Sequence, residues 1–194
     1  MSRFSRFVLS AFVLIASGSV AQAALITYVA HLDGPSESPP NASPGTGTAT
    51  IIYDTDAHTL DMDVTFSGLI GTTTNAHIHA TTAAPFTGTA GVATTTPTFA
   101  GFPSGVTSGS YMAVLDLTLA SSYSAAFLSA NGNSTAAAEA ALMTAIAEGR
   151  AYWNIHSSMF SGGEIRGFFN LIPEPATLSL VAVAGLFLRR RRRR

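Results

Sequence analysis

An antiparallel β-rich domain, a Greek-key sandwich or barrel with one or two inserted helices, is the fold the sequence predicts. Three observations point to it. Residues 60–69, LDMDVTFSGL, alternate apolar and polar side chains at the period of a half-buried strand. Further short runs rich in β-branched and aromatic residues recur along the chain, separated by Gly, Pro and Asn. One stretch, 133–149, breaks this habit with an Ala-, Leu- and Met-rich composition that favours helix.

The elements follow in order. ALITYVAHL at 24–32 reads as a strand, and the loop after it carries Pro35, Pro39, Pro40 and Pro44. TATIIYD at 48–54 returns as a strand, and a tight turn over 54–57 leads into 60–69. There Leu60, Met62, Val64 and Phe66 face the core, while Asp61 and Asp63 form a solvated face. NAHIHAT at 75–81 is the next strand. A Thr-, Ala- and Gly-rich region over 81–109 is loop, with one strand expected near 90–94. YMAVLDLTL at 111–119 is a strand whose facing pattern stays open. A short helix is expected over 123–127. The main helix is capped by Asn133 or Ser134, ended by Gly149, and packs through Ala138, Leu142, Ala145 and Ile146. RAYWNIHS and GEIRGFFNL close the domain as a hairpin about Ser161-Gly162-Gly163.

The two ends have another character. Residues 1–23 combine Arg3 and Arg6, an apolar run from Phe7 to Ala16, and the small-residue site Ala21-Gln22-Ala23. That order is a secretory signal peptide, and the run is too short to span a bilayer. At the other end Pro173-Glu174-Pro175 interrupts the chain, an apolar stretch runs from Ala176 to Leu188, and Arg189, Arg190, Arg191, Arg192, Arg193 and Arg194 follow. As a helix the stretch covers about 20 Å against a ~30 Å hydrocarbon core, so it would halt export transiently rather than anchor permanently. Between the ends, residues 24–172 carry two arginines, Arg150 and Arg166, against ten carboxylates, a balance of −8. An acidic surface repels nucleic acid and anionic lipid, so neither is an expected partner. There is no cysteine, hence no disulfide and no thiolate ligand. No G-x-S-x-G elbow or P-loop lysine occurs.

The histidines carry the chemistry that remains. His77 and His79 are two residues apart on one strand face, roughly 7 Å between Cα atoms, close enough for both imidazoles to reach one ion. His156 shares its face with Tyr152 and Asn154. If these strands are neighbours, His77, His79 and His156 form a three-nitrogen site suited to copper or zinc. The alternative is a structural polar cluster in which the histidines, Glu164 and Arg166 hydrogen-bond to backbone or to one another, with Glu164 or Asp116 as acceptor. His31 and His58 are the remaining candidates for a fourth ligand.

Two resemblances add expectations. LDGPSESPP at 32–40, AHIHATT at 76–82, YWNIHS at 152–157 and GGEIRGFF at 162–169 resemble, in order and content, the motifs of the CHRD domain first described in chordin. The sequence departs from the pattern at Ala80-Thr81 and Phe160-Ser161, both at loops. This resemblance covers 24–171 and implies an exported binding or structural module, without settled enzyme activity, whose partners would be extracellular polysaccharide or surface proteins. Residues 172–194 resemble the PEP-CTERM sorting signal of Gram-negative bacteria, which implies cleavage by an exosortase-type membrane protease and delivery to the cell surface or beyond. A third, more limited likeness is to the copper half of the copper/zinc superoxide dismutases. It would match His77, His79, Gly149-Arg150 leading to His156, and Arg166 as anion guide. The zinc-loop histidines and the cysteines of that family have no counterpart, so the likeness implies a copper-only or adventitious site rather than a full copper/zinc enzyme.

Overall fold

A computed structural model describes residues 24–173. The signal peptide expected over 1–23, Glu174, Pro175, the apolar stretch and the arginine cluster lie outside the described residues. Among the described residues no helix is long and apolar enough to cross a membrane.

Eight strands form one antiparallel sheet: β1 (Leu25–Asp33), β2 (Thr46–Asp54), β3 (Thr59–Ser67), β4 (Thr73–Ala80), β5 (Gly109–Asp116), β6 (Ala151–Ser157), β7 (Ile165–Phe168) and β8 (Asn170–Leu171). Their order is β4-β6-β7-β1-β2-β3-β5, with β8 also pairing β1. The sheet curls into a half-barrel. Two helices, α1 (Ala125–Ala130) and α2 (Thr135–Ala147), interrupt the β order after β5.

Local chemistry accounts for most boundaries. The Ser134 hydroxyl accepts a hydrogen bond from the Ala137 N–H and starts α2. Gly149 follows the helix with φ +66°, a left-handed position that a Cβ would strain. The expected stripe of Ala138, Leu142, Ala145 and Ile146 is buried. α1 begins later than expected, because Ser124 is its cap and accepts from the Phe127 N–H, while Tyr123 lies in the core before it. The facing pattern of β5 is resolved: Met112 and Val114 point to solvent, and Ala113 and Leu115 pack inward. The strand expected near 90–94 reduces to single bridges, His79 with Val92 and Thr94 with Tyr123. Too few residues in that Thr-rich stretch pair consecutively to make a ladder.

The two halves of the sheet differ in a way that positions the site. In β3 buried and exposed residues alternate, so one face is wet. Every residue of β6 is buried. Its inner face carries Trp153 and Ile155 into the core, where Trp153 stacks on Phe99 with ring centroids 4.9 Å apart. Its other face carries Tyr152, Asn154 and His156, and loops cover it. One of those loops also closes the outer edge of β4. Ala93 and Phe99 donate their N–H groups to the Ile78 and Ala76 carbonyls, and the Thr94 and Thr98 hydroxyls accept from the Ile78 and Ala76 N–H groups. Side-chain hydroxyls thus take the place of a missing partner strand.

Candidate functional site

Strand register assembles the site. β4 and β6 pair antiparallel with His77 opposite Asn154 and His79 opposite Tyr152, and β6 pairs β7 with Asn154 opposite Arg166. Residues directly opposite share a face. His77, His79, Tyr152, Asn154, His156 and Arg166 therefore lie on one surface, beneath the covering loops. All six are buried.

The three histidines converge. The ring of His77 lies 4.7 Å, centre to centre, from both His79 and His156, and His79 lies 6.0 Å from His156. One nitrogen from each ring falls within 4.8 Å of the others. Hydrogen bonds fix how each ring is used. The Nδ1 of His77 lies 3.1 Å from the Pro97 carbonyl, that of His79 2.8 Å from the Ala90 carbonyl, and that of His156 2.8 Å from the Ser161 carbonyl. A carbonyl only accepts, so each Nδ1 carries the proton. In a neutral imidazole this leaves Nε2 as a bare lone pair. The Nε2 atoms of His77 and His156 face each other at 2.9 Å, and that of His79 is buried with no partner.

Three lone pairs aimed at one point repel unless a proton or a metal cation lies between them. A proton is disfavoured. Burial first, then the neighbouring imidazoles, lower His77 to about 4. Burial also lowers His79 to about 4 and lowers His156. The donor set, the fixed tautomers and the orphaned nitrogen fit a cation bound through Nε2, with the Nδ1 bonds orienting each ring from behind.

The remaining polar residues of this face form a second tier. Tyr152 stacks on His79 at 4.8 Å and 6° between ring planes, and the Arg166 guanidinium lies 4.7 Å from the Tyr152 ring centre. Arg166 donates to the Ser36 and Gly88 carbonyls and lies 3.7 Å from a Glu37 carboxylate oxygen. The other oxygen of Glu37 is buried without a partner, as is Asn154 Oδ1. A Cβ on Gly163 would come within 2.5 Å of that Glu37 oxygen and 2.7 Å of Asn154 Oδ1. Glycine is required there by contact as well as by its φ of +129°. Burial raises Glu37 to about 7, against the opposing pull of Arg166.

Four sequence expectations need correction here. Glu164 does not join the histidines. Its carboxylate accepts from the Ser43 hydroxyl and the Ile70 and Gly71 N–H groups, and it staples two loops to the start of β7. Burial works against its ionisation, but these donors, with Ser157, hold it below the ordinary carboxylate range. Arg166 is buried and its head is engaged by carbonyls, so it is not an exposed anion guide. His31 is exposed on β1, and His58 pairs with Glu139 at 2.9 Å, so neither supplies a fourth ligand. Asp116 accepts from Thr118 and makes no contact with the histidines. Arg150 donates to the Thr82 carbonyl and pairs with Glu148.

Sequence reasoning did not single out Glu37. It sits among prolines in a loop, and only the fold carries that loop onto Arg166 and Gly163. Asn154 and Tyr152 were placed on the His156 face by strand parity, but nothing in the sequence gave them a role.

The motif strings now have physical content. Gly34 accepts from the Glu37 and Asn41 N–H groups, and Asn41 donates to the Glu164 carbonyl, so the early loop closes over the late Gly-Gly-Glu-Ile-Arg-Gly strand. Gly167 lets β7 run against β1, where a Cβ would lie 2.1 Å from the His31 carbonyl oxygen. No curated protein and no solved structure matches the chain closely enough to add a named relative. The family model of the CHRD domain matches residues 28–169, from β1 to the residue after β7. CHRD domains are found in extracellular proteins, and the match suggests a secreted or extracellular binding or structural module. The chain belongs to the CHRD family.

Proposed function

We propose that this protein is an exported CHRD module that holds one transition-metal ion, copper or zinc, through the Nε2 atoms of His77, His79 and His156. One observation carries the reading: all three Nδ1 atoms are committed to backbone carbonyls, which leaves three convergent Nε2 lone pairs without a hydrogen. A purely structural cluster would gain stability from rings that donate to each other. Here two nitrogens face at 2.9 Å and a third is unpartnered. The ion would supply a positive charge between those lone pairs and tie β4 to β6. The role is that of a binding or structural module, and the chain's partners outside the cell are polysaccharide or surface proteins.

The second reading is a cluster without metal, favoured by the same Nδ1 bonds, which pin the β4–β5 loop and the turn after β6 to the sheet. Metal analysis of residues 24–172 purified from the periplasm separates the two. Stoichiometric copper or zinc, lost in the His77→Ala/His79→Ala variant, supports the metal site. A folded chain free of metal under copper or zinc supplementation leaves the structural cluster.

For sorting, the proposal is that residues 172–194 direct cleavage by an exosortase-type membrane protease at or near Pro173-Glu174-Pro175. Support comes from the order of motif, apolar stretch and arginines. Mass spectrometry of the mature protein should show both the signal peptide and the arginine cluster removed. A mature chain that retains Arg189 to Arg194 contradicts it.

A further inference from the structure

We infer that the three-histidine site selects copper in its monovalent state, Cu(I), over Cu(II) and Zn(II). This rests on the metal-binding reading and adds the charge and geometry of the ion.

The first argument is charge. Among the described residues no carboxylate oxygen joins the histidine group. The buried acids are committed elsewhere: Glu37 beside Arg166, Glu164 to Ser43 and two backbone N–H groups, Glu139 to Tyr53 and His58. The charge linked to the His79 ring, through Tyr152, is the Arg166 cation, and the Glu37 carboxylate is drawn to that cation rather than to the rings. Three neutral donors therefore leave the whole charge of the ion uncompensated in a site whose ligands are at most 9% exposed. The cost of removing an ion from water grows with the square of its charge, so a divalent ion suffers about four times the penalty of a monovalent one.

The second argument is coordination. Zn(II) takes four ligands, and a three-ligand protein site must leave its fourth place to water. The covering loops close over these rings, and neither His31 nor His58 reaches them. Cu(II) favours a tetragonal array of donors. The three rings cannot flatten into one, because each is held by its Nδ1 bond and His79 is also held by Tyr152. Cu(I) has a filled d shell and no such preference, and three imidazoles satisfy it.

The test is a competition titration on the full chain, stripped of metal. Cu(I) is offered anaerobically against bicinchoninate, and Cu(II) and Zn(II) separately against chromophoric chelators. One Cu(I) should bind per chain, tighter than either divalent ion by about 100-fold or more, the scale set by an uncompensated buried charge. A companion variant, Asn154→Asp, adds a carboxylate on the same covered face, at the position opposite His77 in strand register, with little change of shape, and should narrow the Cu(I) preference over Zn(II). If Zn(II) or Cu(II) binds the wild-type chain as tightly as Cu(I), and His77→Ala/His79→Ala removes that binding, the metal site stands and the selectivity inference falls. An unchanged preference in a folded Asn154→Asp chain contradicts the charge argument. If none of the three ions binds a chain with native circular dichroism, both the inference and the metal reading fall.

Discussion

At the scale of single residues, His79 is the most telling. Its ring is held on one side by the Ala90 carbonyl and on one face by Tyr152, yet its Nε2 has no partner. Without metal, that nitrogen is a buried polar atom left unsatisfied. Replacing the ring by an apolar one of similar shape removes this penalty along with the Nδ1 bond. His79→Phe should leave metal-free stability within about 1 kcal/mol of wild type in urea unfolding. The same substitution should abolish the rise in melting temperature that one equivalent of metal gives the wild type. A metal-induced rise that persists in His79→Phe would remove His79 from the ligand set.

Glu37 gives a residue-scale prediction with a defined sign. Its carboxyl titrates near 7 in the fold against an ordinary 4.5, burial being the main cause and Arg166 and Asp33 the charges that face it. A carboxyl whose folded value is raised binds its proton more readily folded than unfolded. The wild-type chain therefore loses stability from this group as pH rises from about 4.5 to about 7, and nothing further above it. Glu37→Gln keeps the shape and removes the titration. The stability difference between variant and wild type should shift in favour of the variant across that window. A difference that does not change with pH would mean Glu37 titrates normally.

At the scale of elements, β3 and β6 show what a sequence does and does not disclose. The alternation of Leu60, Met62, Val64 and Phe66 with Asp61, Asp63 and Thr65 declares a strand with one wet face, and burial follows it residue by residue. β6 carries the same period, and parity correctly set His156 with Tyr152 and Asn154. What parity could not disclose is that the polar face is also buried. That depends on loops brought from residues 34–45, from 86–98 and from the turn after β6, none of which has a periodic pattern. The expected strand near 90–94 failed for the same reason, since Thr hydroxyls rather than a backbone ladder close the edge of β4. The helix, by contrast, was legible through composition, the Ser134 cap and Gly149.

The same contrast predicts how substitutions divide. Trp153 is fully buried on the core face of β6 and stacks on Phe99. Trp153→Ala should cost about 3–5 kcal/mol by chemical denaturation. Met112 is 77% exposed on β5, and Met112→Ala should stay within about 0.5 kcal/mol. Comparable losses at both positions would contradict the facing pattern of the sheet.

At the scale of the whole molecule, the two ends of the CHRD pattern, early loop and late strand, are not separate features. The chain brings residues 33–45 and 163–167 together through Asn41, Ser43, Glu37, Glu164 and Arg166, and the histidines sit on the same covered face. The half-barrel thus packs one face of its sheet on an apolar core and, over β4, β6 and β7, also encloses on the other face a polar layer with three unused imidazole nitrogens. The motifs were legible as strings, and the site was legible as far as the convergence of His77, His79 and His156. The bare Nε2 atoms were not, because they follow from three carbonyls in loops.

X-ray absorption at the copper edge, on the full chain loaded with one equivalent of copper, tests the central claim most directly. Three nitrogen scatterers at about 2.0 Å, with the outer-shell pattern of imidazole rings, are the predicted result. The pattern should vanish in His77→Ala/His79→Ala. A first shell of oxygen without imidazole outer scattering, or a spectrum the double substitution leaves unchanged, would contradict it.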